Sequence, residues 1–321
     1  MKTRLCEVLG IQHPVLLAPM GMIAGGALAR AVSEAGGLGL MGGGYGDADW
    51  LRREYSLAQG ARIGCGFITW SLANRPELLD LVLEQQPVAV MLSFGDAALF
   101  AARIKATGAK LICQVQTLRL AREAVEAGAD IVVAQGSEAG GHGLTRSTFT
   151  LVPEIADYLA REAPSTVLVA AGGIADGRGL AAALMLGADG VLVGTRFWAS
   201  AEALVSPTFH AAAVAADGDD TVRTTVVDIA RKIDFPQPFT VRVMNTRFVE
   251  EWHGREAELG TPAVQRSQQV RYWDAYRAGD VDNTGLLVGE AIGLIRDVPS
   301  ASDIVGTMVS DAERLLARRP A

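Results

Sequence analysis

Short apolar runs recur along the first 200 residues, each set apart from the next by an amphipathic stretch. They read VLLA (15–18), LGLM (38–41), RIGCGFI (62–68), VAVMLS (88–93), KLICQV (110–115), DIVVA (130–134), TVLVAA (166–171) and GVLVG (190–194). Runs this short are strands, and a strand apolar on both faces belongs in a parallel sheet covered on both sides. The intervening segments, among them ALARAVSEAG, PELLDLVLEQ, TLRLAREAVEAG and GRGLAAALMLG, are helix-like. Several close on a glycine, which suits the left-handed residue after a helix. Eight βα units in this span predict an α/β fold, a (β/α)8 TIM barrel, over an open sheet.

The periodicity fails between roughly 205 and 285, where DGDDTVRTT, DFPQPFT and EWHGREAELGTP are polar and irregular. A small inserted, mainly helical subdomain near the C-terminus is expected there. Residues 1–209 and 286–321 are assigned to the barrel, and 210–285 to an insert covering the active site. Pro299 is expected to split the apolar-periodic segment 286–318 into two helices packed back on the barrel.

Composition narrows the partners. Half the residues are apolar and the formal charge is −7, from 29 basic and 36 acidic residues, so no nucleic-acid surface is expected. No run approaches the ~18 apolar residues of a spanning helix. Glu7, His13 and Pro14 interrupt any leader peptide after Lys2 and Arg4. A cytoplasmic enzyme is expected, with Cys6, Cys65 and Cys113 as buried thiols.

In such a barrel the chemistry sits on the loops after the strand C-termini. After the seventh run comes AAGGIADGRG, with Ala171, Gly172 and Gly173; after the eighth comes VGTRF, with Gly194 and Thr195. Successive glycines let backbone N–H groups converge on one anion, so these adjacent loops read as a phosphate cradle. The sixth is followed by QGSEAGGHG, where Gly140, Gly141 and Gly143 surround His142. An imidazole titrating near neutral pH on a small, flexible loop is a candidate general base. Neither a histidine nor a cysteine stands at ligand spacing from it, so no metal is expected. Ala18, Pro19 and Met20 after the first run either approach a flat ligand or form a plain apolar turn. Gly66 marks a close backbone approach. Gln114 either bonds a ligand ring edge or caps a neighbouring strand. Gly37, Gly39 and Gly42 match GxGxxG but surround a strand, the wrong context for a dinucleotide fingerprint. One proton-active side chain and a phosphate cradle leave redox chemistry to a cofactor.

The combination of HPVLLAPMG, AVSEAGGLG, QGSEAGGHG, AAGGIADGRG and VGTRF, with VVDIARKIDFPQPF and the closing GEAIGLI, resembles the nitronate monooxygenase (2-nitropropane dioxygenase) family over essentially the whole chain. FMN-dependent enoyl-acyl carrier protein reductases and NADH:quinone reductases share part of the pattern. The resemblance implies an FMN-bound barrel without metal. It places the flavin over Ala18–Met20, Gly66, Gln114 and Gly140–Gly141, its phosphate on Gly172, Gly173, Gly194 and Thr195, and makes His142 catalytic. It implies oxidation of an alkyl nitronate, or of a nitroalkane, with O2. His142 would stabilise the anion or remove an α-proton. The alternative is an NAD(P)H-dependent FMN reductase acting on a quinone or enoyl thioester. MLSFGD at the end of the fourth run favours the monooxygenase branch. Trp70, Ser93 and Phe94, with Tyr272 and Tyr276, are the candidate substrate contacts. No membrane partner is implied, and a homodimer is compatible with the resemblance.

Overall fold

The structure is a computed structural model and describes residues 1–317; the last four residues of the segment 286–321 lie outside them. The barrel strands are β1 (Val15–Leu17), β2 (Leu40–Gly44), β3 (Gly64–Ile68), β4 (Ala89–Ser93), β5 (Lys110–Val115) and β6 (Ile131–Gln135). After a three-residue strand, β7 (Gly141–Gly143), come β8 (Val167–Ala171) and β9 (Gly190–Val193). The barrel order is β1-β9-β8-β6-β5-β4-β3-β2, all parallel. A bridge between Leu16 and Leu38 closes the ring. All eight expected strands are present. The second starts two residues later than LGLM and continues through Gly44.

Each strand is apolar through its middle because both of its faces are buried there; polar residues such as Ser93, Gln114 and Gln135 fall at or near the C-terminal ends, facing the barrel mouth. Leu16, Leu40, Met91, Ile112, Val133 and Val169 pack inside the barrel, with Leu5 and Leu9 of the helix Arg4–Leu9 in the same cluster. Alternate residues such as Val15, Val90, Val132, Leu168 and Val191 pack with the surrounding helices. The three glycines of the GxGxxG match belong to this packing. A Cβ on Gly39 would lie 1.9 Å from the Ala29 carbonyl oxygen, and one on Gly42 would lie 2.2 Å from that of Met20. Gly39→Ala therefore forces backbone apart. It is expected to cost about 2 kcal/mol, a fall of roughly 5 °C in melting temperature by calorimetry. An unchanged melting temperature would show that the helix Gly26–Glu34 can move away freely.

The eighth βα unit is interrupted. After β9 comes only the short helix Thr195–Trp198. The helix that packs between Gly26–Glu34 and Gly177–Met185, in the eighth outer position, is Ala301–Leu316. Pro299 precedes this helix, and what it separates is a 3-10 helix (Glu290–Leu294) from an α-helix. Between the two parts of the unit lie helices Pro207–Ala215, Val226–Arg231, Arg247–Trp252 and Pro262–Ala278. The first of these runs across position 209/210. The excursion also contains β10 (Thr221–Thr224) and β11 (Thr240–Met244), an antiparallel pair that the polar sequence hid. β11 pairs in turn with β7, setting Val241 opposite His142. The glycine-rich stretch read as a flexible loop is thus the third strand of a small sheet. No described helix is long and apolar enough to cross a membrane.

Candidate active site

A cavity of about 710 Å3 opens at the C-terminal end of the barrel, a size typical of ligand sites. Ala18, Pro19 and Met20 line it from β1, Gly66 from β3, Ser93 and Phe94 from β4, and Gln114 from β5. Gly140, Gly141 and His142 line it from β7, Ala171–Gly173 from β8, and Gly194 and Thr195 from β9. Tyr272 and Tyr276 reach it from the excursion. Trp70 does not line it. Its ring packs edge-on against Tyr45 and Phe235 at 6.0 and 5.7 Å, behind the wall.

The β8 and β9 loops sit side by side, because Ala171 pairs with Leu192. Gly172 and Gly173 adopt φ of +105° and +73°, which turns successive N–H groups the same way. Among the described residues, the N–H groups of Gly172, Gly173, Gly194 and Thr195 donate to no protein acceptor. Asp176 caps the helix Gly177–Met185, so that helix end is already satisfied. The Arg196 guanidinium turns away to Asp297 and the Ala199 carbonyl. Glu138, the nearest acid, is held by the N–H and hydroxyl of Thr148 at 2.9–3.0 Å. A Cβ on Gly194 or Gly173 would meet only ordinary contacts, at 3.7 Å from Ala18 and 3.5 Å from Glu138. A cluster of free amide donors with no side chain among them fits the phosphate of the flavin that the resemblance implies.

His142 is 7% exposed and is fixed from several sides. Its Nε2 lies 3.0 and 2.9 Å from the two carboxylate oxygens of Asp228, itself buried in the helix Val226–Arg231. A carboxylate only accepts, so Nε2 carries a hydrogen, and in the neutral imidazole the lone pair is on Nδ1. Nδ1 has no hydrogen bond among the described residues. The ring stacks on Phe235 at 3.5 Å with planes 5° apart, and the Phe94 ring stands edge-on at 6.0 Å. Phe94 holds φ of +64°, a strained conformation for a bulky residue, of the kind found at sites of function.

The backbone under His142 is clamped as well. Gln135 donates to the His142 carbonyl at 3.1 Å and accepts from Gln114 (3.2 Å) and Gln116 (2.8 Å). Gln114 therefore bonds the neighbouring strand through its nitrogen. Arg223 and Arg242 both donate to the Ser137 carbonyl, at 3.2 and 2.9 Å. Burial, and then the facing Arg242, pulls the Arg223 guanidinium down to about 10; it stays charged at neutral pH.

Asp228, Phe235, Arg231 and Tyr45 were not singled out from the sequence. The only local signal was two acids and two aromatics in VVDIARKIDFPQPF, in a segment without periodicity. Among the described residues no cluster of His, Cys, Asp and Glu forms a metal site, and all three cysteines are free and buried.

Comparison with known proteins gives one answer at the level of family. The nitronate monooxygenase family pattern matches residues 2–62 and 68–311. Nitronate monooxygenase npaC of Metarhizium robertsii is 37% identical, over 94% of this chain and 91% of its own. FabK from Thermotoga maritima superposes with a TM-score of 0.83 at 33% identity, over 98% of this chain and 97% of its own. Nitroalkane oxidase from Streptomyces ansochromogenes gives 0.80 at 26% identity, over 97% and 98%.

Proposed function

The chain belongs to the nitronate monooxygenase family, a family of oxidoreductases, and from that premise we propose that it oxidises alkyl nitronates with O2 using FMN. The observation that carries this reading is His142: an imidazole oriented by Asp228, on a side chain lining the cavity that holds the backbone cradle. FMN, when bound, supplies the electron-accepting chemistry. Gly172, Gly173, Gly194 and Thr195 would hold its phosphate, with Ala18–Met20, Gly66, Ala171, Gln114 and Gly140–Gly141 along the rest of it. Residues 210–285 would act as the cover, because they contribute Asp228, Phe235 and Tyr272 to the site or its walls.

For a neutral nitroalkane the α-proton passes to His142 Nδ1. The C–H electron pair moves into the C=N bond, and the negative charge settles on the nitro oxygens. The imidazolium formed is stabilised by Asp228. A substrate already ionised needs no such step. Ser93 and Phe94 line the cavity beside this position and are the substrate contacts of this reading; Trp70 supports the wall from behind.

Asp228→Asn tests the positioning. An amide can present its N–H to Nε2, which moves the imidazole hydrogen to Nδ1 and removes the base. Steady-state kinetics should show kcat/KM for neutral nitroethane falling by about 10²-fold, the low end of what a general base contributes, with preformed ethyl nitronate changed less than about threefold. An equal loss with both forms would leave Asp228 a purely structural partner.

The likeness to FabK favours a second reading, an NAD(P)H-dependent FMN reductase of a quinone or enoyl thioester. Anaerobic mixing with NADH or NADPH separates the two, since only the reductase bleaches the flavin rapidly with the nicotinamide.

A further inference from the structure

The wall of the cavity carries a cation that no group among the described residues neutralises. Arg231 ends the helix Val226–Arg231, nearly one turn beyond Asp228, and lines the cavity shared with His142. Its guanidinium carbon lies 5.8 Å from the centroid of Tyr45 and 5.5 Å from that of Trp273. Among the described residues its side chain makes no ion pair or hydrogen bond, and Nε is buried without a partner. By contrast Arg196, Arg242 and Arg271 each reach a carboxylate, and Arg223, which reaches none, bonds the Ser137 and Thr240 carbonyls. Of the two acids three residues away, Asp228 is committed to His142, and Asp234 is exposed and makes no ion pair with the guanidinium.

Aromatic faces offset only part of the cost of withdrawing a guanidinium from water, and a missing counter-charge is destabilising. The deficit closes when a ligand brings the anion. The other charged groups lining the cavity are engaged: Asp47 caps the helix Ala48–Leu57, Glu138 binds Thr148, and Arg53 lies 3.3 Å from Glu54. On the Tyr45 ring that the guanidinium faces, the hydroxyl is also buried without a partner. Burial holds its pKa well above the ordinary tyrosine value, so it remains a donor. A guanidinium fork presents parallel N–H groups to a planar, two-oxygen anion.

We propose that Arg231, assisted by the Tyr45 hydroxyl, is the subsite that binds the planar oxyanion of the substrate, the two oxygens of the nitronate group, and so selects the ionised substrate. This rests on the nitronate reading above, and its test separates the two.

The experiment compares wild type with Arg231→Met, which keeps bulk and removes charge, and with Arg231→Lys. The probes are butyrate, an unreactive planar oxyanion, and its neutral isostere butyramide, with binding to the holoenzyme followed by tryptophan fluorescence. KM for ethyl nitronate is measured in parallel. Arg231→Met should weaken butyrate binding and raise the nitronate KM by about 30-fold, the range of a charge-assisted pair. Its kcat and its weak butyramide binding should change less than about threefold, and Arg231→Lys should recover part of the butyrate affinity. Flavin content and circular dichroism check the fold, and Arg231→Gln replaces the methionine variant if that one does not fold. Equal butyrate affinity and equal nitronate KM with and without Arg231 overturn the subsite, whatever the wild type turns over. Butyrate binding through Arg231 in a wild type that leaves nitronate unoxidised keeps the subsite and overturns the nitronate reading.

Discussion

Replacing His142 with alanine is expected to lower kcat/KM for neutral nitroethane by about 10³-fold while the protein keeps its FMN. A positioned general base contributes roughly 10²–10⁴-fold, and no other group is placed to take over. Asp228 is spent on the imidazole it orients, Glu138 on Thr148, and Tyr45 and Tyr272 are held protonated chiefly by burial. Preformed ethyl nitronate, which has already lost its proton, should retain most of its turnover. The fold should tolerate the change, because β7 is held through its backbone to β11 and through the Gln135 side chain. The cost falls on Asp228, left as a buried carboxylate, so the double variant His142→Ala/Asp228→Asn is the cleaner background. Undiminished turnover of the neutral substrate in either variant would remove His142 from the proton transfer.

An acidic side chain in the cradle should abolish FMN retention. Gly194→Asp is the sharper form of this test, because Gly194 does not hold a positive φ and its Cβ would meet nothing nearer than 3.7 Å. Backbone strain is therefore absent. The new carboxylate would stand among the N–H groups of Gly172, Gly173 and Thr195 and repel a phosphate dianion. A loss of FMN affinity of about 10³-fold or more is expected, giving colourless protein with an unchanged circular dichroism spectrum. Gly173→Glu should do the same, with an added conformational cost from its φ of +73°. Yellow protein from Gly194→Asp at the wild-type flavin ratio would place the phosphate elsewhere.

The barrel was legible in the sequence because every one of its strands is buried on both faces. A run such as Val-Ala-Val-Met-Leu-Ser at 88–93 has little other place to go in a soluble fold. Gly172, Gly173 and Gly194 were legible as glycines at the barrel mouth, and all three line the cavity; the phosphate role read from them is the proposal tested by Gly194→Asp. The excursion between Trp198 and Ala301 was only partly legible. Its helices left weak traces, and β11 does alternate, as Thr-Val-Arg-Val-Met, but two short strands amid polar, proline-bearing sequence give too few alternations to stand out. The pairing of β11 with Gly141–Gly143 joins segments nearly 100 residues apart and leaves no local sign. Asp228 was hidden in the same way: its partner is 86 positions away, and a lone aspartate in a short helix looks like surface. Trp70 shows the opposite error. The resemblance offered it as a substrate contact, yet its ring packs edge-on against Tyr45 and Phe235, outside the cavity lining.

The most direct measurement is an anaerobic titration of the FMN-loaded protein, followed by visible absorbance, with ethyl nitronate in one arm and NADH or NADPH in the other. The expected result is loss of the oxidised flavin band with nitronate, recovery on admitting O2, and no rapid change with either nicotinamide. Rapid bleaching by NADH or NADPH, with the band unmoved by nitronate, would contradict the assignment.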